Sequence, residues 1–213
     1  MIKDKIKECR YAYAIDRKRV RPTSIAGKLM GLFLFLMENK LSFIKQNVSI
    51  GESTARQFEE LVDWINFSIE DDYIYPYDTY VIRTIKEHVE RIASVTPDYA
   101  KILEFSSMDK RKELTEKCPS EVLRKNLLIT LGAIDKLINR IMEFLKNDNS
   151  KRAIQLLSYF ENMKDKKVEH FDEAIQRILF YNSLFWQCKY AHNGIGRLDL
   201  ILNKYYEKDL EAG

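Results

Sequence analysis

Apolar residues recur at helical spacing along most of this chain, and the pattern divides it into a series of helices. At the start, Ile2, Ile6, Cys9 and Tyr13 lie among charges, so residues 1–19 are expected to form an amphipathic helix. Pro22 stops it, and Thr23 or Ser24 is placed to cap a second helix reaching about Gln46, apolar nearly all round its middle and with Gly27 and Gly31 on one face. Ser49–Glu52 reads as a turn, with Ser53 capping a helix that carries Phe58, Leu61, Val62, Ile65 and Ile69. Pro76 and the surrounding tyrosines mark an irregular connection. Val81, Ile82, Ile85, Val89 and Ile92 then give a helix over 79–94, and Pro97 opens a short element containing Tyr99, Ile102, Leu103 and Phe105.

The second half is more regular. Met108–Lys117 reads as a helix or an exposed linker. From Pro119 onward Leu123, Leu127, Leu131, Ile134, Ile138, Ile141 and Leu145 form one continuous stripe, widened by Leu128, Leu137 and Met142, which describes a core helix ending at Asn147–Asn149. Ser150 caps the next helix, with Ala153, Leu156, Leu157 and Phe160 inward, and 164–170 is a polar break. The helix from Phe171 to about Lys189 is apolar on several sides, through Ile175, Ile178, Leu179, Phe180, Tyr181, Leu184, Phe185 and Trp186. Such a helix needs protein on several faces, so the isolated chain is expected to expose a patch around Phe180, Leu184, Phe185 and Ile201, and to associate. Gly194 and Gly196 break the periodicity. A sharp turn or a short strand near 194–200 is expected there, with Arg197 and Asp199 on one side of it, before a last helix through Leu202, Tyr205, Tyr206 and Leu210.

Composition narrows the class. Only seven Gly and four Pro in 213 residues disfavour a turn-rich sandwich or barrel, so the fold is expected to be mainly α, one helical region over 1–213. The formal charge of +3 gives no overall pull toward nucleic acid or membranes, and the basic N-terminus is interleaved with Asp4, Glu8 and Asp16, as on a solvated helix face. The longest apolar run, Leu29–Met37, is too short to span a bilayer. Cys9, Cys118 and Cys188 are isolated thiols suited to a reducing cytoplasm.

Few residues carry chemistry. Glu70–Asp72 lacks the spacing and glycine of a calcium loop and reads as a solvated helix end. Gly194-Ile195-Gly196-Arg197 lacks the lysine, hydroxyl and preceding strand of a phosphate loop. Cys188 and His192, four apart, have no orienting acid or further ligand, with or without His170, and no metal site is assigned.

The terminal segment nevertheless resembles a known family. Phe171-x-Glu173-Ala174-Ile175-Gln176, the aromatic helix, Gly196-Arg197-Leu198-Asp199 and Tyr205-Tyr206-x-x-Asp209-Leu210-x-Ala212-Gly213 are similar in order and spacing to the pyruvate formate-lyase-like glycyl radical enzymes. The match is best over 150–213 and weakens through 119–149. The resemblance implies the multi-helix N-terminal part of an α/β-barrel enzyme, a formate C-acetyltransferase or dehydratase-like lyase of anaerobic metabolism. In that family the thiyl-forming cysteine lies downstream of Gly-Arg-x-Asp, and the glycyl radical sits near the C-terminus. Both fall outside these 213 residues, so an N-terminal fragment is expected, with the radical in the missing part, no cofactor here and no catalytic residue carried over. Gly196, Arg197 and Asp199 are the motif residues it implies, as structural anchors of the barrel's first strands or as substrate-proximal groups. It also implies a radical-S-adenosylmethionine activase as partner for the intact enzyme, and a homo-oligomer is possible. The competing expectation is a stand-alone helical interaction or regulatory protein. An independent enzyme using Cys188 and His192 ranks last.

Overall fold

The structure, a computed structural model, describes residues 48–69, 75–77, 96–188 and 193–213. The chain divides between Val48 and Ser49, and the described residues belong, Val48 aside, to the unit Ser49–Gly213. The helices expected over 1–19, 22–46 and 79–94 lie outside the described residues, as do Cys9 and His192.

Seven α-helices make up the described part: α1 (Ile50–Leu61), α2 (Tyr99–Glu104), α3 (Ser107–Lys117), α4 (Glu121–Leu145), α5 (Lys151–Asp165), α6 (Phe171–Gln187) and α7 (Leu198–Ala212). The mainly helical fold is therefore as expected. Capping side chains set several starts by accepting from N–H groups that the first turn leaves unpaired. Ser120 accepts from Leu123 N, Ser150 from Ala153 N, and Ser106 with Asp109 forms a reciprocal capping box that makes 107–117 a helix rather than a linker. Ser49, not Ser53, caps α1, accepting from Glu52 N at 3.2 Å. That helix stops at Leu61, and Val62–Trp64 continues as a 3-10 turn. Arg140 holds this turn by donating to the carbonyls of Val62 and Ile65 while lying 4.8 Å from the Phe67 ring centre.

One buried cluster is formed by α1, the 3-10 turn, Tyr77, α4, α5 and the later part of α6. The stripe on α4 reaches it only in its second half. Leu131, Leu137, Ile138, Ile141 and Leu145 are buried, whereas Leu123 and Leu127 are 50% and 38% exposed, and the α4 residues in this cluster begin at Ala133. Each buried Leu or Ile contributes roughly 1.5–3 kcal/mol relative to exposure. A second cluster joins Tyr99 and Leu103 of α2, Val168, Ala174 and Ile178 at the start of α6, and Tyr205 of α7.

Helix α6 thus serves both clusters, and Phe180 and Leu184 are buried within the chain rather than lining an exposed patch. Its surroundings differ from the apolar jacket expected. Glu173, Gln176, Arg177, Asn182, Ser183 and Gln187 are buried along it. Arg177, 1% exposed, donates through Nη2 to the carbonyls of Asn162 (3.2 Å) and Lys166 (3.0 Å), and through Nη1 to that of Phe105 (3.3 Å). Its charge is met by Glu173 at 3.3 Å on the preceding turn. Burial pulls the guanidinium below its ordinary range, and Glu173 opposes that pull. One side chain thereby closes the C-terminal end of α5, adding a second donor to Asn162 O, which already accepts from Lys166 N at 2.9 Å, and meeting the carbonyl of the cap residue Lys166.

Candidate functional site

The segment after α6 is held by a small polar knot. Asn193 Nδ2 donates to Tyr99 Oη at 3.1 Å and also to Asn182 Oδ1, while Tyr99 Oη itself donates to Asn182 Oδ1 at 2.9 Å. Burial raises the Tyr99 hydroxyl, with the Asn193 contact opposing it, so it stays protonated and can donate. This ties the loop to α2 and α6 at once. Nearby, Tyr77 and Ser183 pair their hydroxyls at 2.9 Å, and Ser183 donates onward to Phe180 O.

Two glycines then let the chain turn. A Cβ at Gly194 would lie 2.5 Å from Thr96 Oγ1, and Gly196 takes φ +72, where side chains are strained. No strand forms among residues 193–200: Arg197 is the cap position of α7 and Asp199 lies in its first turn. The expected placement of both residues along an extended strand is therefore replaced by a helix start. They still meet. Arg197 Nε lies 2.9 Å from Asp199 Oδ1, and Nη2 2.6 Å from Oδ2, a two-pronged pair with both side chains largely in solvent. Each holds the other charged: Arg197 keeps the Asp199 carboxyl low, and Asp199 lifts the Arg197 guanidinium. Groups fixed in their charged forms are poorly matched to proton transfer near neutral pH. The pair can orient a chain segment or meet an exposed polar surface.

The other resemblance residues form a packing unit. Ala174 is fully buried against Tyr205 in the second cluster. Asp209, from α7, accepts from Phe171 N at 2.7 Å and so caps α6 from another helix, while its other oxygen lies 2.9 Å from His170 Nδ1. Tyr206 packs its ring against Phe171 at 5.5 Å. Cys188 is half-buried against the first cluster, and among the described residues no group of three His, Cys, Asp or Glu side chains is arranged to hold a metal.

A family model described as pyruvate formate lyase-like matches residues 45–213. The chain belongs to the pyruvate formate lyase-like family. The match extends well upstream of 150–213 and takes in every described helix. No curated protein matches the chain. Solved structures do. One, concerned with 1,2-propanediol dehydration in Roseburia inulinivorans, is 17% identical over 76% of this chain and 22% of its own, with a TM-score of 0.47. Another, the glycerol-bound B12-independent glycerol dehydratase from Clostridium butyricum, is 17% identical over 74% of this chain and 21% of its own, with a TM-score of 0.46. The chain thus spans about a fifth of the length of these structures.

Within this pyruvate formate lyase-like chain, sequence reasoning missed the polar layer on α6 and the knot of Tyr99, Asn182 and Asn193. The signal was present as Glu173 and Arg177 one turn apart on a helix otherwise read as apolar. A cavity of about 340 Å³, lined by Ile102, Phe105, Leu114, Leu131 and Tyr181 with Lys101 and Lys110 beside them, lies apart from Arg197 and Asp199.

Proposed function

We propose that this chain supplies the N-terminal helical layer of a glycyl radical enzyme, a formate C-acetyltransferase or dehydratase-like lyase of anaerobic, cytoplasmic metabolism. The family match over residues 45–213 carries the reading. In such an enzyme the reactive groups, a glycyl radical and a thiyl-forming cysteine, come from chain beyond this helical part, and a radical-S-adenosylmethionine activase generates the radical. The helices described here would pack around that centre and exclude water. Their rigidity supports the role: buried Arg177 locks α5 to α6, and the Tyr99–Asn182–Asn193 knot fixes the loop leading to Gly196, Arg197 and Asp199. In this reading Arg197 and Asp199 anchor the neighbouring chain segment rather than handle protons.

The reading frame beyond codon 213 tests this. Continuation into a cysteine loop and a glycyl radical motif is the expected result. A stop codon, together with a purified chain that is a stable monomer with no radical-bearing partner, would overturn the proposal in favour of a stand-alone interaction protein.

A further inference from the structure

The last turns of α7 have a thin apolar anchor. Tyr205 is the buried residue of the helix, Leu198, Ile201 and Leu202 are half-buried, and Leu200, Tyr206 and Leu210 are exposed. Past Tyr205, the Tyr206 ring against Phe171 and polar contacts to the start of α6 hold the helix. Asp209 uses both carboxylate oxygens, one on Phe171 N and one on His170 Nδ1, and Lys208 Nζ donates to Glu169 O at 3.3 Å. The imidazole sits in the connector immediately before α6, so its charge bears directly on the carboxylate that caps that helix.

We propose that His170 and Asp209 form a pH-responsive clasp, which holds the C-terminal turns of α7 most firmly against the start of α6 when the imidazole is protonated and the carboxylate ionised.

The charged groups facing His170 are Asp209 and Lys208 on α7 and Asp172 on α6. The Asp209 hydrogen bond is the largest influence and raises the imidazole, Asp172 adds to it, and desolvation and Lys208 oppose it. Asp209 is lowered first by the Phe171 N–H and then by His170. The signs give a window. Because the folded imidazole titrates above its ordinary 6.5, its contribution is complete below that value and is lost as pH rises through the raised one. Because the folded carboxyl titrates below its ordinary 3.8, its contribution is complete above that value and is lost as pH falls through the lowered one. Docking is therefore firmest between the two ordinary values.

Hydrogen exchange of the full 213-residue chain, corrected for intrinsic rates, tests this. From pH ~6 to ~8, protection over 205–212 should fall about two- to fivefold, the scale of a solvent-screened ion pair. The fall should vanish in His170→Gln, while α4 stays unchanged. An equal fall in His170→Gln, or constant protection in the parent chain, overturns the clasp. Should the variant fail to fold, NMR titration of the parent decides: His170 titrating above 6.5 together with α7 amide shifts supports it, and titration at or below 6.5, or without α7, overturns it.

Discussion

Arg177 and Glu173 stand one turn apart on α6 at 3.3 Å, both side chains almost wholly buried, and the guanidinium also donates to three backbone carbonyls from two other places in the chain. Taking a buried pair apart one partner at a time leaves a charge without compensation.

Arg177→Ala should accordingly destabilise the chain by about 3–5 kcal/mol, because it leaves the buried Glu173 without its cation and takes a donor from the carbonyls of Asn162, Lys166 and Phe105. Arg177→Lys should recover little, since a single ammonium cannot reproduce the fork that reaches all these acceptors. Urea unfolding monitored by far-UV circular dichroism reads both. Midpoints equal to the parent's would show that Arg177 is dispensable to the fold.

Positions on the α4 stripe should differ in weight. Leu137→Ala, at a fully buried site, is expected to cost about 2–5 kcal/mol. Leu123→Ala, at a site half in solvent, should stay within about 1 kcal/mol. Thermal and urea unfolding of the two variants side by side checks the contrast, and similar losses would place Leu123 in a buried interface.

Gly194 and Thr96 should behave as a coupled pair. Gly194→Ala drives a Cβ against Thr96 Oγ1 and should lower stability, and Thr96→Ala should relieve part of that loss. Gly196→Ala, at φ +72, should cost about 1–2 kcal/mol whatever stands at position 96. A double-mutant cycle on unfolding midpoints separates the steric case from the backbone case. Additive effects of Gly194→Ala and Thr96→Ala would rule out the close approach.

The helices were legible where periodicity and capping agree. Ser150 and the stripe through Leu145 marked real boundaries because both report local geometry. The start of α1 was displaced because Ser49 and Ser53 are both chemically able caps, and residue type alone does not choose between them. Burial along α4 was overstated at Leu123 because a stripe records which face is apolar, not how far its partners extend. The Arg197–Asp199 pair was expected on a strand, since two nearby glycines signal a break in the helix but do not set the conformation of the residues after them. The depth of Arg177 on α6 was hidden for a different reason: its carbonyl partners at Phe105, Asn162 and Lys166 leave no mark in side-chain sequence, and only its spacing of one turn from Glu173 pointed to it.

Whether this helical layer serves a glycyl radical enzyme is decided most directly by electron paramagnetic resonance. The sample is the polypeptide containing residues 45–213, isolated without oxygen from its own cells and treated with a radical-S-adenosylmethionine activase. The predicted result is a glycyl radical signal on the species that carries this chain, lost on exposure to air. No signal on that species, from an activase shown to act on another glycyl radical enzyme, would contradict the proposed role.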